Sequence, residues 1–136
     1  MKLNWNSRVS SFVAEKLDAL RRAEHLGPLV DEGEVARTMN ALPVYLDMGG
    51  ALGFTPDGAV LLYDWQSEQV APEHDEGWMI VAAVAAAEKY PELRAILPVK
   101  PPTATTCSHC SGRGKVSVTG STTLSCGKCW GLGWVT

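Results

Sequence analysis

All four cysteines of the chain stand in two matched stretches, Cys107-Ser108-His109-Cys110-Ser111-Gly112-Arg113-Gly114 and Cys126-Gly127-Lys128-Cys129-Trp130-Gly131-Leu132-Gly133. Both read CxxCxGxG, and 15 residues separate the two pairs, the spacing of two halves of one zinc site. A two-residue spacer lets both sulfurs of a pair turn toward one ion. The glycines that follow can take the crowded or left-handed backbone that a tight knuckle demands. The residue types and spacing therefore predict one Zn2+ per chain, held in a closed tetrahedron by Cys107, Cys110, Cys126 and Cys129.

Three other chemistries draw on the same residues. A redox dithiol wants one CxxC in a βαβ context, whereas here two matched pairs follow a Pro-rich stretch. Two structural disulfides need an oxidising compartment, and Met1 to Trp5 start no apolar run of signal-peptide length, so the expected location is cytoplasmic. A catalytic zinc needs an open position, which would require His109 to displace one of the cysteines. Two matched pairs close a tetrahedron without any of these, as a structural zinc requires.

The doubled CxxCxGxG resembles the cysteine-rich zinc domain of DnaJ-type co-chaperones, in which four such repeats make two zinc sites, each from two repeats. Two repeats here imply one site. The likeness covers about the last 30 residues, and the chain shows no J-domain helix pair with its His-Pro-Asp motif, so the resemblance extends to the metal and not to co-chaperone activity.

Between the knuckles, Lys115 to Thr119 and Thr122 to Ser125 are β-branched and alternating about Gly120-Ser121, which predicts a hairpin. The result is a zinc-ribbon-like unit over 103–136, too small to bury a core and folded largely by its metal, since zinc-finger peptides gain about 10–16 kcal/mol from zinc. Pro98, Pro101 and Pro102 mark a linker over 98–102, and 1–97 form a separate globular domain. Residues 1–102 carry nine basic and fifteen acidic side chains, while 103–136 carry Arg113, Lys115 and Lys128 and no acid. Those cations offset the anionic metal–thiolate centre, and the acidic main domain argues against a nucleic-acid surface. No apolar run reaches the roughly 20 residues of a membrane span.

The main domain reads as α+β, a small antiparallel sheet packed with helices. From Ser10-Ser11, Phe12, Val13, Leu17, Leu20 and Leu26 recur at helical spacing until Gly27-Pro28. A second helix is predicted from Glu32 to Ala41, capped by Asp31 and striped with Val35, Met39 and Leu42 before Pro43. The period then becomes two. Strands are predicted over Val44–Asp47, Leu52–Phe54, Ala59–Asp64 and around Gln69-Val70, with a turn at Thr55-Pro56-Asp57-Gly58. Gly49-Gly50 lacks the lysine of a phosphate loop and reads as a turn or bulge. Asp75 and Glu76 precede an apolar helix from Gly77 to Tyr90, and Leu93 to Leu97 make a further turn.

Over 42–102 the order of these signals is similar to the SUKH superfamily of immunity and scaffold proteins, through Asp47, Gly50, Asp57, Gly58, Tyr63, Asp64, Val70 and Trp78. The resemblance implies an α/β protein with a central antiparallel sheet that acts by binding a partner, such as a secreted bacterial toxin. No nucleophile elbow, HExxH or Walker loop is present, and His25, His74 and His109 are scattered, so no catalytic residue is assigned. The expected function is partner binding by a non-enzyme carrying a structural zinc module, with a protein partner such as a basic toxin. A chaperone-like peptide binder, an enzyme and a nucleic-acid binder are the alternatives. Candidate partner-binding residues are Asp47, Asp64, Trp65, Glu68 and Trp130. Trp130 and Trp134 are expected to pack against the main domain, with Leu132 and Val135 helping.

Overall fold

Asn6 decides where the first helix starts. Its side chain accepts a hydrogen bond from Val9 N at 2.9 Å, capping α1 (Ser7–Arg22). The helix thus begins a turn earlier than Ser10-Ser11 predicted and stops at Ala23, whose backbone is extended. The computed structural model describes residues 2–23, 32–47, 49–119 and 122–136. Leu26, Gly27-Pro28, His25, the proposed Asp31 cap and the Gly120-Ser121 turn lie outside them.

The second helix, α2 (Glu32–Met39), is shorter than expected because Asn40 takes φ 55° and turns the chain toward the sheet, so Leu42 opens a strand and does not extend the stripe of Val35 and Met39. Four strands follow: β1 (Leu42–Leu46), β2 (Gly50–Phe54), β3 (Val60–Asp64) and β4 (Gln69–Pro72). They form an antiparallel sheet in sequence order, the meander that the alternation predicted. β1 starts two residues before the predicted Val44 because Pro43, which has no N–H to donate, is tolerated on an edge strand. It ends before Asp47, whose side chain caps the following turn instead. At the Thr55-to-Gly58 turn, the Thr55 hydroxyl donates to Asp57, and this bond holds the Asp57 carboxyl below the usual range.

Asp75 caps α3 (Glu76–Lys89) by accepting from Trp78 N at 3.1 Å, and a 3-10 helix over Pro91–Ile96 continues from it. Because α3 is apolar nearly all round, it is buried through Ile80, Val81, Ala82, Ala83, Ala86 and Ala87. α1, α3 and the 3-10 helix cover one face of the sheet, packing Val13, Ala82 and Leu93 against Leu42, Leu52 and Phe54. α2 covers the other face, where Val35 and Met39 meet Ala51. The chain is therefore an α+β protein, as expected. Burying a side chain of the size of Phe54 or Leu42 is worth about 1.5–3 kcal/mol, and both lie in one cluster with Ala82, Ala83 and Ala86 of α3.

Beyond 98–102, which hold no helix or strand, come two short ribbons. β5 (Thr105–Thr106) pairs with β8 (Trp134–Val135), and β6 (Lys115–Thr119) pairs with β7 (Thr122–Ser125) as the predicted hairpin. This C-terminal unit is seated on α3. The Trp130 ring lies against Gly77, Gly131 lies against Val84, and Lys115 Nζ is 3.2 Å from Glu88 Oε2. The last pair is exposed on both sides and adds at most about 1 kcal/mol, so the apolar contacts set the position.

Candidate metal centre

The two CxxCxGxG repeats fold as copies of one knuckle. Ser111 and Trp130 have φ 56° and 57°, Gly112 and Gly131 79° and 95°, and Gly114 and Gly133 76° and 84°. The N–H of Gly114 donates to Cys110 Sγ at 3.2 Å, and that of Gly133 donates to Cys129 Sγ at 3.3 Å. Each knuckle also feeds the other: Cys126 N donates to Gly114 O at 2.9 Å, and Cys107 N to Gly133 O at 3.0 Å.

That exchange explains the second glycine of each repeat. A Cβ on Gly114 would stand 2.4 Å from Gly131 O, and one on Gly133 would stand 2.5 Å from Gly112 O. The knuckles are backbone against backbone, at a distance only glycine permits, and both glycines also need φ > 0.

The cross-packing gathers all four sulfurs within 4.8 Å of one another, and all four cysteines are buried. Cys107 and Cys126 Sγ are 3.9 Å apart, and Cys110 and Cys129 Sγ are 3.7 Å apart. A tetrahedron with metal–sulfur bonds of about 2.3 Å has edges near 3.8 Å, so the four thiols form a site that could hold one metal ion. All four are free thiols, and these two separations are far beyond the about 2.05 Å of a disulfide. His109 is exposed and not among the four clustered groups. Val116 and Val135 pack against the cysteines and keep water from the sulfurs.

The thiols divide in their titration. Burial opposes ionisation at Cys110, but the Gly114 N–H and the three neighbouring thiols outweigh it and bring its pKa down to about 7. At Cys129 burial prevails over the Gly133 and Gly131 amides, Cys110 adds to it, and the pKa is pushed up to about 12.

Four of the candidate partner-binding residues, Asp47, Asp64, Trp65 and Glu68, come together at the end of the sheet where β1, β2 and β3 turn. Asp47 Oδ1 accepts from Gly49 N and Gly50 N at 2.8 and 2.9 Å. Asp64 Oδ1 accepts from Gln66 N and Ser67 N at 2.8 and 3.3 Å. Trp65 Nε1 donates to Asp47 O at 3.0 Å, and Glu68 takes φ 55° to close the β3–β4 turn. Gly49 and Gly50 belong to a turn and the first residue of β2, as the reading against a phosphate loop anticipated. Beside Asp47, Tyr45 is pushed above its ordinary pKa by burial and the Asp47 charge, against a hydrogen bond with Ser125.

Trp130 stands apart from that group, on Gly77 of α3. Trp134 is buried, and Val135 packs on the cysteine cluster. Sequence reasoning missed Gly77 as the seat of Trp130. The signal was there, since a glycine in the first turn of an otherwise apolar helix forfeits propensity and marks a close approach. It also missed Glu73, Tyr45 and Leu62, which line one groove with Asp47, Asp64 and Trp78.

No family model, curated protein or solved structure matches the chain.

Proposed function

We propose that this chain is a non-catalytic, protein-binding protein whose four-cysteine centre is a structural zinc site. The observation that carries the zinc assignment is the set of four buried sulfurs within 4.8 Å of one another, two of the separations being 3.7 and 3.9 Å, with Cys110 and Cys129 each accepting a backbone N–H. Four thiolates in a tetrahedron suit zinc or a single iron, and leave no coordination position for a substrate. Zinc supplies a cross-link between two knuckles that have little interior of their own. Among the described residues, no other three His, Cys, Asp or Glu side chains gather as metal ligands.

The SUKH-like order of Asp47, Gly50, Asp57, Gly58, Tyr63, Asp64, Val70 and Trp78 supports an immunity-type form of this function. The surplus of carboxylates over 1–102 supports a basic partner, drawn in by long-range attraction. Purification from the native host without chelator, followed by identification of the retained protein and a salt titration, tests this. A stoichiometric basic partner whose affinity falls with salt is expected. Recovery of the chain alone under low-salt conditions contradicts it.

A chaperone-like reading is supported by one feature. A cleft of about 550 Å3 separates edge strand β1 at Val44 to Leu46 from β7 at Thr123 to Ser125, and an extended peptide would pair with such an edge. Suppression of aggregation of an unfolded client protein is its test, and it would be independent of salt.

A further inference from the structure

The face of the sheet under α3 is not fully covered. At the helix N-terminus, Trp78 stands 41 % exposed, and Leu62 on β3 is 38 % exposed. Strand register sets Tyr45, Leu52 and Leu62 side by side across β1, β2 and β3, and the Tyr45 ring lies 6.2 Å from that of Trp78. Together they floor a groove of about 240 Å3, below the roughly 300–1,000 Å3 of small-molecule sites. One long side chain fits such a volume.

Every charged residue lining the groove is acidic: Asp47, Asp64 and Glu73. Each spends one oxygen on the backbone, Asp47 and Asp64 on their turns and Glu73 Oε1 on Asp75 N at 2.9 Å. Those bonds fix the carboxylates in place. Among the described residues, no lysine or arginine pairs with any of them. The three do not form a metal cluster either.

An apolar floor, an exposed indole face and three fixed carboxylates left without a cation share one complement. We propose that the groove receives an arginine side chain presented by a protein partner, which rests on the partner-binding reading above. The aliphatic stem lies on Leu52 and Leu62, and the planar guanidinium stacks against Trp78 while its N–H groups reach the carboxylates. Lysine offers a compact, strongly hydrated point charge without the planar fork that matches carboxylates while stacking, so arginine is preferred.

The test uses the full chain and a defined probe. N-acetyl-arginine amide is titrated at low salt, with the uncharged citrulline analogue in parallel, while the Trp78 indole and the Gly50 and Leu62 amide resonances are followed by NMR. Saturable shifts confined to these residues are expected for arginine, with citrulline binding several-fold more weakly. Glu73→Gln and Asp64→Asn keep the backbone hydrogen bonds and should each weaken the arginine probe about two- to five-fold. Equal response to citrulline, shifts centred elsewhere, or no effect of either substitution overturns the proposal. A native partner that binds the Glu73→Gln/Asp64→Asn double variant as tightly as the parent also overturns the groove, and leaves the partner-binding reading standing. That reading fails separately if no partner is retained from the native host.

Discussion

The indole of Trp130 rests directly on Gly77: a Cβ added to Gly77 would stand 2.6 Å from Trp130 Cε2. One glycine in the first turn of α3 is therefore the seat of the C-terminal unit. Gly77→Ala tests the contact with an inverted sign. An alanine in an unobstructed helix position stabilises by about 0.5–1 kcal/mol, whereas here the clash should cost about 1–3 kcal/mol. A lower Tm with an altered tryptophan emission and unchanged metal content is expected from thermal melts and fluorescence. A raised Tm would show that Trp130 is free to leave.

The two tryptophans should separate in their effects. Trp134 is 9 % exposed and Trp130 36 %. Trp134→Ala removes a ring that is nearly all buried and should cost about 3–5 kcal/mol, with partner affinity largely kept. Trp130→Ala should cost less. Denaturant melts of both variants with a binding assay check this, and unchanged stability with lost binding for Trp134→Ala reverses the assignment.

Gly114→Ala and Gly133→Ala attack the crossing of the knuckles. Each new methyl would meet a carbonyl oxygen of the opposite repeat, at 2.4 and 2.5 Å, with φ at 76° and 84° besides. Both variants should hold metal more weakly than Gly127→Ala, since nothing lies within 4 Å of a Cβ there. Competition with a chromophoric chelator measures the order, and equal affinities for all three would contradict the geometry.

The metal should leave as pH falls. Thiols must lose their protons to bind an ion, so protons compete with metal and affinity declines with acidification. Cys129, at about 12, gives up a proton to the metal throughout this range, and Cys110, at about 7, adds a further one only as the pH falls below that value. The decline should steepen below about pH 7, and the stability that the metal lends should go with it. Chelator competition from pH 8 to 5 gives the curve. A flat profile excludes thiolate ligation.

What sequence carries is local, and so is what was read from it. The cysteine spacing, the Asp57-Gly58 turn and the all-apolar α3 each follow from neighbours in the chain. The start of α1 was misplaced because Asn6 is fixed partly by a tertiary contact next to it. Trp5 stacks 5.4 Å from Phe54 and donates to Ser10 Oγ at 2.7 Å, holding the helix entrance from outside. The seat of Trp130 on Gly77 and the convergence of Tyr45, Leu62, Glu73 and Trp78 join residues far apart in sequence, and no periodicity encodes them. Of the site residues, the four cysteines were legible because one ion demands a fixed spacing. The groove was not, because its members share a surface without sharing a motif.

Cys126→Ser should remove the metal and the order of 103–136, while the helical signal of the main domain persists with a lowered Tm from the lost Trp130 contact. Circular dichroism and limited proteolysis report both. Loss of all structure in a single step would show that the two units fold as one.

The most direct measurement is elemental analysis of the full chain purified without chelator, paired with a thiol count. One zinc per chain, with all four thiols unreactive until the metal is removed, is the predicted result. One iron per chain would contradict the zinc assignment, and a metal-free protein with four freely reactive thiols and an intact fold would contradict the centre itself.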